Sequence, residues 1–283
     1  MDLADKKDIS RLLKDRNFSF KKSLGQNFIT DPGVCPAMAE VSCGPDTGVL
    51  EIGPGAGVLT RELALRAKRV VALEVDERLK PVLAETVGNF ENTEIIFSDV
   101  LKTDLHKLIN EKFSDCERVT VCANLPYYIT SPVIMKLLNN RLPIESVTAM
   151  VQKEAAERIC APVGSRAAGA VTVAVAYYSS PSVLFEVPRT SFMPPPKVDS
   201  AVIKLDVLKK PAVSVKNEKL FFALGKACFA QRRKTLLNTV SATMDIDKEL
   251  LRRCLEKMSL DASVRGERLT MEQLAELCNM LSD

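Results

Sequence analysis

The sequence predicts an α/β fold, a doubly wound and mostly parallel sheet followed by a smaller all-helical region. Three observations predict it. Short apolar strands alternate with helical stretches from Thr47 to Val151, the pattern of βαβ units with right-handed crossovers. A glycine turn, Gly53-Pro-Gly-Ala-Gly57, joins the first strand of that series to its first helix. That is where such sheets bind a nucleotide. Residues 217–283 instead carry helical apolar spacing, in Leu220, Phe221, Leu224 and Phe229 and again in Leu250, Leu251, Cys254 and Leu255.

Taken in order, Asp8–Asp15 reads as a short helix with mixed charge. Lys21 to Asp31 follows, with polar amides interleaved among Leu24, Phe28 and Ile29. Asp31-Pro32 then starts a helix running to about Cys43. Strands fall at 47–53, 69–75, 94–98, 118–123 and 146–151. Helices fall at 59–66, 77–87, 105–112, 132–138 and 153–160. Residues 167–179 are rich in both Ala and Val and fit helix or strand. Val183–Val187 and Ala201–Val207 read as closing strands, and Lys209–Val215 as a linker. The chain therefore divides at 1–208 and 209–283, the second part being three or four helices.

Length and composition bound the function. The 283 residues allow one large α/β domain and a smaller one. Hydrophobic content of 46% and charged content of 27% are those of a soluble globular protein. No apolar run reaches the roughly 18 residues of a membrane span, and the polar N-terminus lacks a signal-peptide core. Eight cysteines without a C-x-x-C pair read as reduced thiols in a cytoplasmic protein, with no metal site. The single histidine, His106, makes His-based triads and His metal clusters implausible. Net charge is +3, yet residues 204–240 hold nine Lys/Arg against Asp206 and Glu218, a local +7 that leaves the remainder at −4. Such a concentrated basic region is the footprint of a nucleic-acid surface.

The glycine turn narrows the ligand. Gly53, Gly55 and Gly57 give G-x-G-x-G, but position 58 is Val where a dinucleotide fingerprint needs Gly. Glu51, leading the turn, would repel a phosphate. The expected ligand is therefore a nucleoside without phosphate, and S-adenosylmethionine is the candidate. The other strand ends fit it. Glu74 ends the second strand and can accept both ribose hydroxyls; its apolar neighbours favour it over Asp76. Asp99, after the third strand, can accept from the adenine amine. Asn124-Leu-Pro-Tyr127 follows the fourth. An amine conjugated to a purine ring becomes nucleophilic when acceptors hold its two protons. The Asn124 side-chain oxygen and the Leu125 carbonyl are those acceptors. Pro126 fixes the turn, and Tyr127 offers a face for an extruded base. With a cationic methyl donor, orientation supplies much of the catalysis. Phe192-Met-Pro-Pro-Pro-Lys197 reads as a stiff polyproline-like segment that holds Phe192 against a base, with Lys197 near phosphate. Arg232, Arg233 and Lys234 read as a basic triplet on a helix, contacting RNA phosphates.

Together these motifs resemble the ribosomal RNA adenine dimethyltransferases. The resemblance is carried by Leu24-Gly-Gln-Asn-Phe28, Glu51-Ile-Gly-Pro-Gly-x-Gly57, Glu74, Asp99, Asn124-Leu-Pro-Tyr-Tyr-Ile129, Phe192-x-Pro-Pro-Pro-Lys-Val-Asp-Ser200 and Phe229-Ala-Gln-Arg-Arg-Lys-Thr-Leu236. It runs from about Phe20 to the C-terminus and is strongest toward the bacterial small-subunit branch. It implies a Rossmann-like class I methyltransferase sheet with a helical RNA-binding domain. It implies transfer of four methyls from S-adenosylmethionine to N6 of two adjacent adenines near the 3′ end of 16S rRNA, during ribosome biogenesis. Asn27 and Ile29 would line the cofactor pocket beside Gly53 and Gly55, Glu74 would hold the ribose, Asp99 the adenine, and Asn124 would meet the transferring methyl. Tyr127 and Phe192 would sandwich the target base. Ile29 stands where Leu is usual, and Ser98 where Gly often precedes Asp99; neither change removes a polar contact.

Two other readings compete. A large-subunit adenine methyltransferase of the macrolide-resistance type shares the chemistry, but the Pro-Pro-Pro-Lys-Val-Asp-Ser and Arg-Arg-Lys-Thr-Leu matches argue against it. A ribosome-assembly or transcription factor derived from the family would not need the intact set from Glu51 to Tyr127. The expected partner is small-subunit RNA in a partly assembled subunit, and the expected state is a monomer.

Overall fold

The computed structural model describes residues 5–16, 18–21 and 25–282. Leu24, the first residue of the Leu-Gly-Gln-Asn-Phe motif, lies outside the described residues. In chain order the first elements are α1 (Lys6–Asp15), β1 (Phe28–Ile29), α2 (Val34–Ser42), β2 (Thr47–Ile52), α3 (Val58–Ala64) and β3 (Arg69–Glu74). Then come α4 (Lys80–Thr86), β4 (Thr93–Phe97), α5 (Leu105–Lys112), β5 (Arg118–Asn124), α6 (Thr130–Asn139) and β6 (Ser146–Gln152). Next are α7 (Lys153–Ile159), α8 (Ala170–Tyr178), β7 (Ser179–Val187), β8 (Phe192–Met193) and β9 (Ser200–Val207). The last are α9 (Glu218–Ala230), α10 (Leu236–Met244), α11 (Lys248–Lys257) and α12 (Met271–Met280).

The chain forms two compact units. One is Met1–Ala156 with Ser182–Val207; the other is Glu157–Pro181 with Leu208–Asp283. The second therefore takes in a mid-chain segment that a division after residue 208 leaves with the sheet.

In the first unit, seven strands form one sheet in the order β4-β3-β2-β5-β6-β9-β7. β4, β3, β2, β5 and β6 run parallel, and β9 is antiparallel to β6. That antiparallel strand inside the order separates this sheet from the purely parallel dinucleotide-binding type. Every residue of β2 is buried, because helices cover both faces of the central strands, so it reads as a continuous run without alternation. β2 is flanked by β3 on one side and β5 on the other. The strand order reverses there, and a crevice opens beyond the carboxyl ends of these strands. Gly57 caps α3 at φ +86°, and a Cβ there would lie 2.7 Å from Thr86 Oγ1. Only glycine lets α3 start this close to α4.

A second, two-residue sheet pairs β1 with β8, Phe28 opposite Met193 and Ile29 opposite Phe192. No period-2 pattern announces strands this short. The pairing also corrects the polyproline reading: Phe192 and Met193 belong to a strand. Asp31 does not cap α2. It accepts from Gly33 N at 3.0 Å and from Ser191 Oγ at 2.8 Å, and Gly33 is the cap residue.

In the second unit, α8 resolves the ambiguity of residues 167–179 as helix. Six of its nine residues are buried, so it lacks the polar face from which helical periodicity is read. Tyr177, Tyr178, Phe221 and Phe222 form its aromatic centre, and Tyr177 Oη donates to Glu218 at 2.9 Å. Gly266 lies so close to α9 that a Cβ would sit 2.6 Å from Cys228 Cα. Among the described residues no helix is long and apolar enough to cross a membrane.

Candidate active site

A cavity of about 290 Å³ opens beyond the carboxyl ends of β2 to β5. Asn27, Ile29, Gly53, Gly55, Glu74 and Asp99 line it. So do Asn124, Leu125, Tyr127 and Phe192. All ten cofactor and catalytic candidates thus border one space.

The glycine turn forms its floor. Gly53 and Gly55 take φ of +74° and +57°, which a side chain would strain. A Cβ on Gly55 would come 3.0 Å from the Phe28 ring, so the turn and the β1 segment close on one another only because that position is bare. Glu74 is buried at 6% exposure. Its Oε1 accepts from Val75 N at 2.9 Å and Asp76 N at 2.8 Å, and its Oε2 from Gly55 N at 3.2 Å. Burial pushes its carboxyl above the usual carboxylate range, against the pull of those three amides. Asp76 does not border the cavity. It accepts from Gln26 Nε2 at 2.8 Å, and the Arg78 guanidinium beside it holds its carboxyl below the usual range. Asp99 Oδ1 accepts from Leu101 N at 2.9 Å, and Lys102 lies 3.9 Å from its other oxygen.

The Asn124 amide nitrogen donates to the Asn27 carbonyl at 3.3 Å. This fixes the carboxamide and turns its oxygen away from that contact. Leu125 is buried, held by its N–H to the Met150 carbonyl at 3.2 Å. Pro126 has φ −56°, and the Pro126 carbonyl accepts from Ile129 N at 3.1 Å, closing the turn. Tyr127 is half-buried and its hydroxyl pairs with Ser200 Oγ at 2.9 Å. Phe192 is 2% exposed, while Tyr128, which also lines the cavity, is 58% exposed. The β1–β8 pairing brings Asn27 and Ile29 to Phe192, and Thr30 N donates to the Ser191 carbonyl at 2.8 Å.

Two expectations need correction. Glu51 does not line the cavity; it is fully buried and neither oxygen has a hydrogen-bond partner among the described residues. Burial pushes its carboxyl up to about 8, so at neutral pH it is mostly protonated and carries little charge with which to repel phosphate. The basic triplet Arg232, Arg233 and Lys234 occupies the turn between α9 and α10, not a helix. Arg232 is engaged within its own unit: it donates to the Arg166 and Ala168 carbonyls, and its guanidinium lies 5.6 Å from the centre of the Phe229 ring. All three residues of the triplet and, in the first unit, Lys197 are exposed. Reading the sequence also missed Tyr128 and the Gln26–Asp76–Arg78 cluster, because Gln26 and Asp76 lie fifty residues apart. For Tyr128, adjacency to Tyr127 was the available signal.

The arrangement suits a phosphate-free adenosine. A bare glycine floor, two carboxylates at successive strand ends and, among the described residues, no cavity-lining cation answer a ribose, an adenine amine and a positive centre. The profile described as Ribosomal RNA adenine dimethylase matches residues 17–282. The chain belongs to this family. Ribosomal RNA small subunit methyltransferase A of Bacillus pumilus is 46% identical, over 99% of this chain and 97% of its own. The protein of the same description from Geobacillus thermodenitrificans is 47% identical over 99% and 97%. Among solved structures, a dimethyladenosine transferase from Plasmodium falciparum aligns at TM-score 0.73 and 27% identity, over 88% of this chain and 95% of that one. The 23S rRNA methyltransferase ErmE aligns at TM-score 0.68 and 25% identity, over 90% and 99%. Both solved structures align over most of the chain, sheet and helical region alike.

Proposed function

We propose that this chain dimethylates N6 of two adjacent adenines near the 3′ end of small-subunit ribosomal RNA, with S-adenosylmethionine as methyl donor. The observation that carries the proposal is Asn124-Leu-Pro-Tyr127 bordering the same cavity as the glycine turn, Glu74 and Asp99, in a member of the dimethylase family. Similarity of 46–47% to the small-subunit proteins, against 25% to the 23S-named structure, favours the small-subunit substrate.

Bound S-adenosylmethionine supplies an electrophilic methyl on a sulfonium. Asn27, Ile29, Gly53 and Gly55 form its cradle, Glu74 accepts the ribose hydroxyls and Asp99 the adenine amine. The Asn124 oxygen and the Leu125 carbonyl accept the target N6 protons, which localises the nitrogen lone pair for attack. Tyr127 and Phe192 flank the target base, Phe192 as the fixed wall and Tyr127 as the more open one. Lys197, Arg233 and Lys234 contact phosphates and set the position of the RNA without reading its sequence. Residues 209–283 serve as the RNA-binding region, together with the mid-chain helix α8. The chain acts as a monomer in the cytoplasm on a partly assembled small subunit. Its eight cysteines stand as free thiols, the state a reducing compartment maintains.

Two substitutions separate these roles. Glu74→Ala removes charge-assisted hydrogen bonds and is expected to weaken cofactor binding by roughly 10- to 100-fold in calorimetry. Asn124→Ala is expected to lower single-turnover methyl transfer by roughly 100-fold or more while cofactor affinity stays within about threefold. Unchanged affinity in Glu74→Ala would remove it from the ribose site. Equal loss of binding and transfer in Asn124→Ala would make its role structural.

A further inference from the structure

Helix α1 lies ahead of residues 17–282, the span of the family match. It is nevertheless built into the first unit. Asp5 caps it, accepting from Lys7 N at 2.7 Å and Asp8 N at 3.1 Å. Ile9, Leu12 and Leu13 are 0–4% exposed and share one apolar cluster with Phe28, Ile29, Val187 and Phe192. Lys6 and Ser10, one helical turn apart, reach the Phe192 segment from the same side. Lys6 Nζ donates to the Thr190 carbonyl at 3.0 Å, and Ser10 Oγ to Met193 Sδ at 3.2 Å. These two contacts bracket Ser191 and Phe192. At the other end of the helix, Arg16 donates twice to Glu85 Oε2 of α4, at 3.0 and 2.6 Å.

A two-residue strand pair has few hydrogen bonds of its own and is marginal without support. We propose that α1 is a positioning element for the acceptor side of the active site: it holds Thr190–Met193, and with it Phe192, against Phe28–Ile29. The proposal rests on the reading of Phe192 as a wall for the target base. Its two polar tethers, Lys6 and Ser10, reach the β8 side, so their loss acts on the acceptor more than on the cofactor. An error of about 1 Å in a positioned group costs up to about 100-fold in rate.

The test uses the full chain in two variants. Ile9→Asp puts a charge into the apolar seat and should detach the helix. Lys6→Ala with Ser10→Ala leaves that seat intact and removes only the two tethers, so it keeps the question open to measurement should the first variant misfold. Amide hydrogen exchange is measured without RNA, followed by cofactor calorimetry and methyl transfer to small ribosomal subunits. Exchange is expected to accelerate at Thr30 and residues 191–193 but not in β2, β5 or β6. Transfer kcat/KM should fall roughly 10-fold or more with cofactor affinity within about twofold. Unchanged exchange at 191–193 in both variants overturns the proposal. So does accelerated exchange with undiminished transfer, or an equal loss of cofactor affinity and transfer. A wild-type chain that does not methylate small subunits would overturn the assigned function instead, and the RNA-free exchange data tell the two failures apart.

Discussion

Glu51 stands two residues before the first glycine of the turn, yet its carboxyl is sealed in the core beside Thr60. Its carboxyl is pushed by burial from an ordinary 4.5 up to about 8. The unfolded chain releases this proton above about 4.5, whereas the folded chain keeps it until about 8. Between those values the folded state holds one more proton, so stability falls as pH rises, by about 1.4 kcal/mol per pH unit from this group. Above 8 the dependence ends. Glu51→Gln cannot ionise and lacks that slope. Denaturant unfolding at pH 5, 6, 7 and 8 should show the variant gaining on the wild type at each step; parallel curves would mean that Glu51 is ionised in the fold. At this scale the sequence was legible where function constrains a strand end. Glu74, Asp99 and Asn124 all follow parallel strands, and parallel strands send their carboxyl ends to one side. It misled at Glu51 because an acidic residue beside a turn carries no mark of which way its side chain goes.

At the scale of elements, the α9–α10 turn separates residues that are adjacent in sequence. All three basic residues are exposed, but Arg232 is tied to carbonyls of its own unit and lies 3.8 Å from Glu267. The charge count at 204–240 is therefore not a count of RNA contacts. Replacing Arg233 and Lys234 by Ala should reduce the slope of log binding constant against log salt, for small subunits, by roughly 1.4–1.8. Arg232→Ala should lower the stability of the helical unit and leave that slope nearly unchanged. A slope that responds only to Arg232 would reverse the assignment. The parallel strands were legible because buried runs bounded by turns are strong signals. The β1–β8 pair was not, since two-residue strands have no period and their partners lie more than 160 residues apart. Nor was α8 as a helix, since burial on nearly all sides erases its amphipathic pattern.

For the whole molecule, the strand order and the site belong together. The order reverses between β2 and β5, and the glycine turn and Asn124-Leu-Pro-Tyr127 follow those two strands. The proposed cofactor cradle and acceptor site are thus neighbours because of topology, not because of sequence proximity. The division into units was only partly legible: 157–181 lies between strands of the sheet in sequence but belongs with the C-terminal helices, and a linear reading assigns segments by order along the chain. The central claim is methyl transfer to adjacent adenines of small-subunit RNA. Its most direct test offers labelled S-adenosylmethionine with small and large subunits from cells lacking these methyl groups, followed by mapping of the modified bases. The account predicts N6,N6-dimethyladenine at two adjacent positions near the 3′ end of small-subunit RNA and none in large-subunit RNA. Label in large-subunit RNA, or tight subunit binding without transfer, would contradict it.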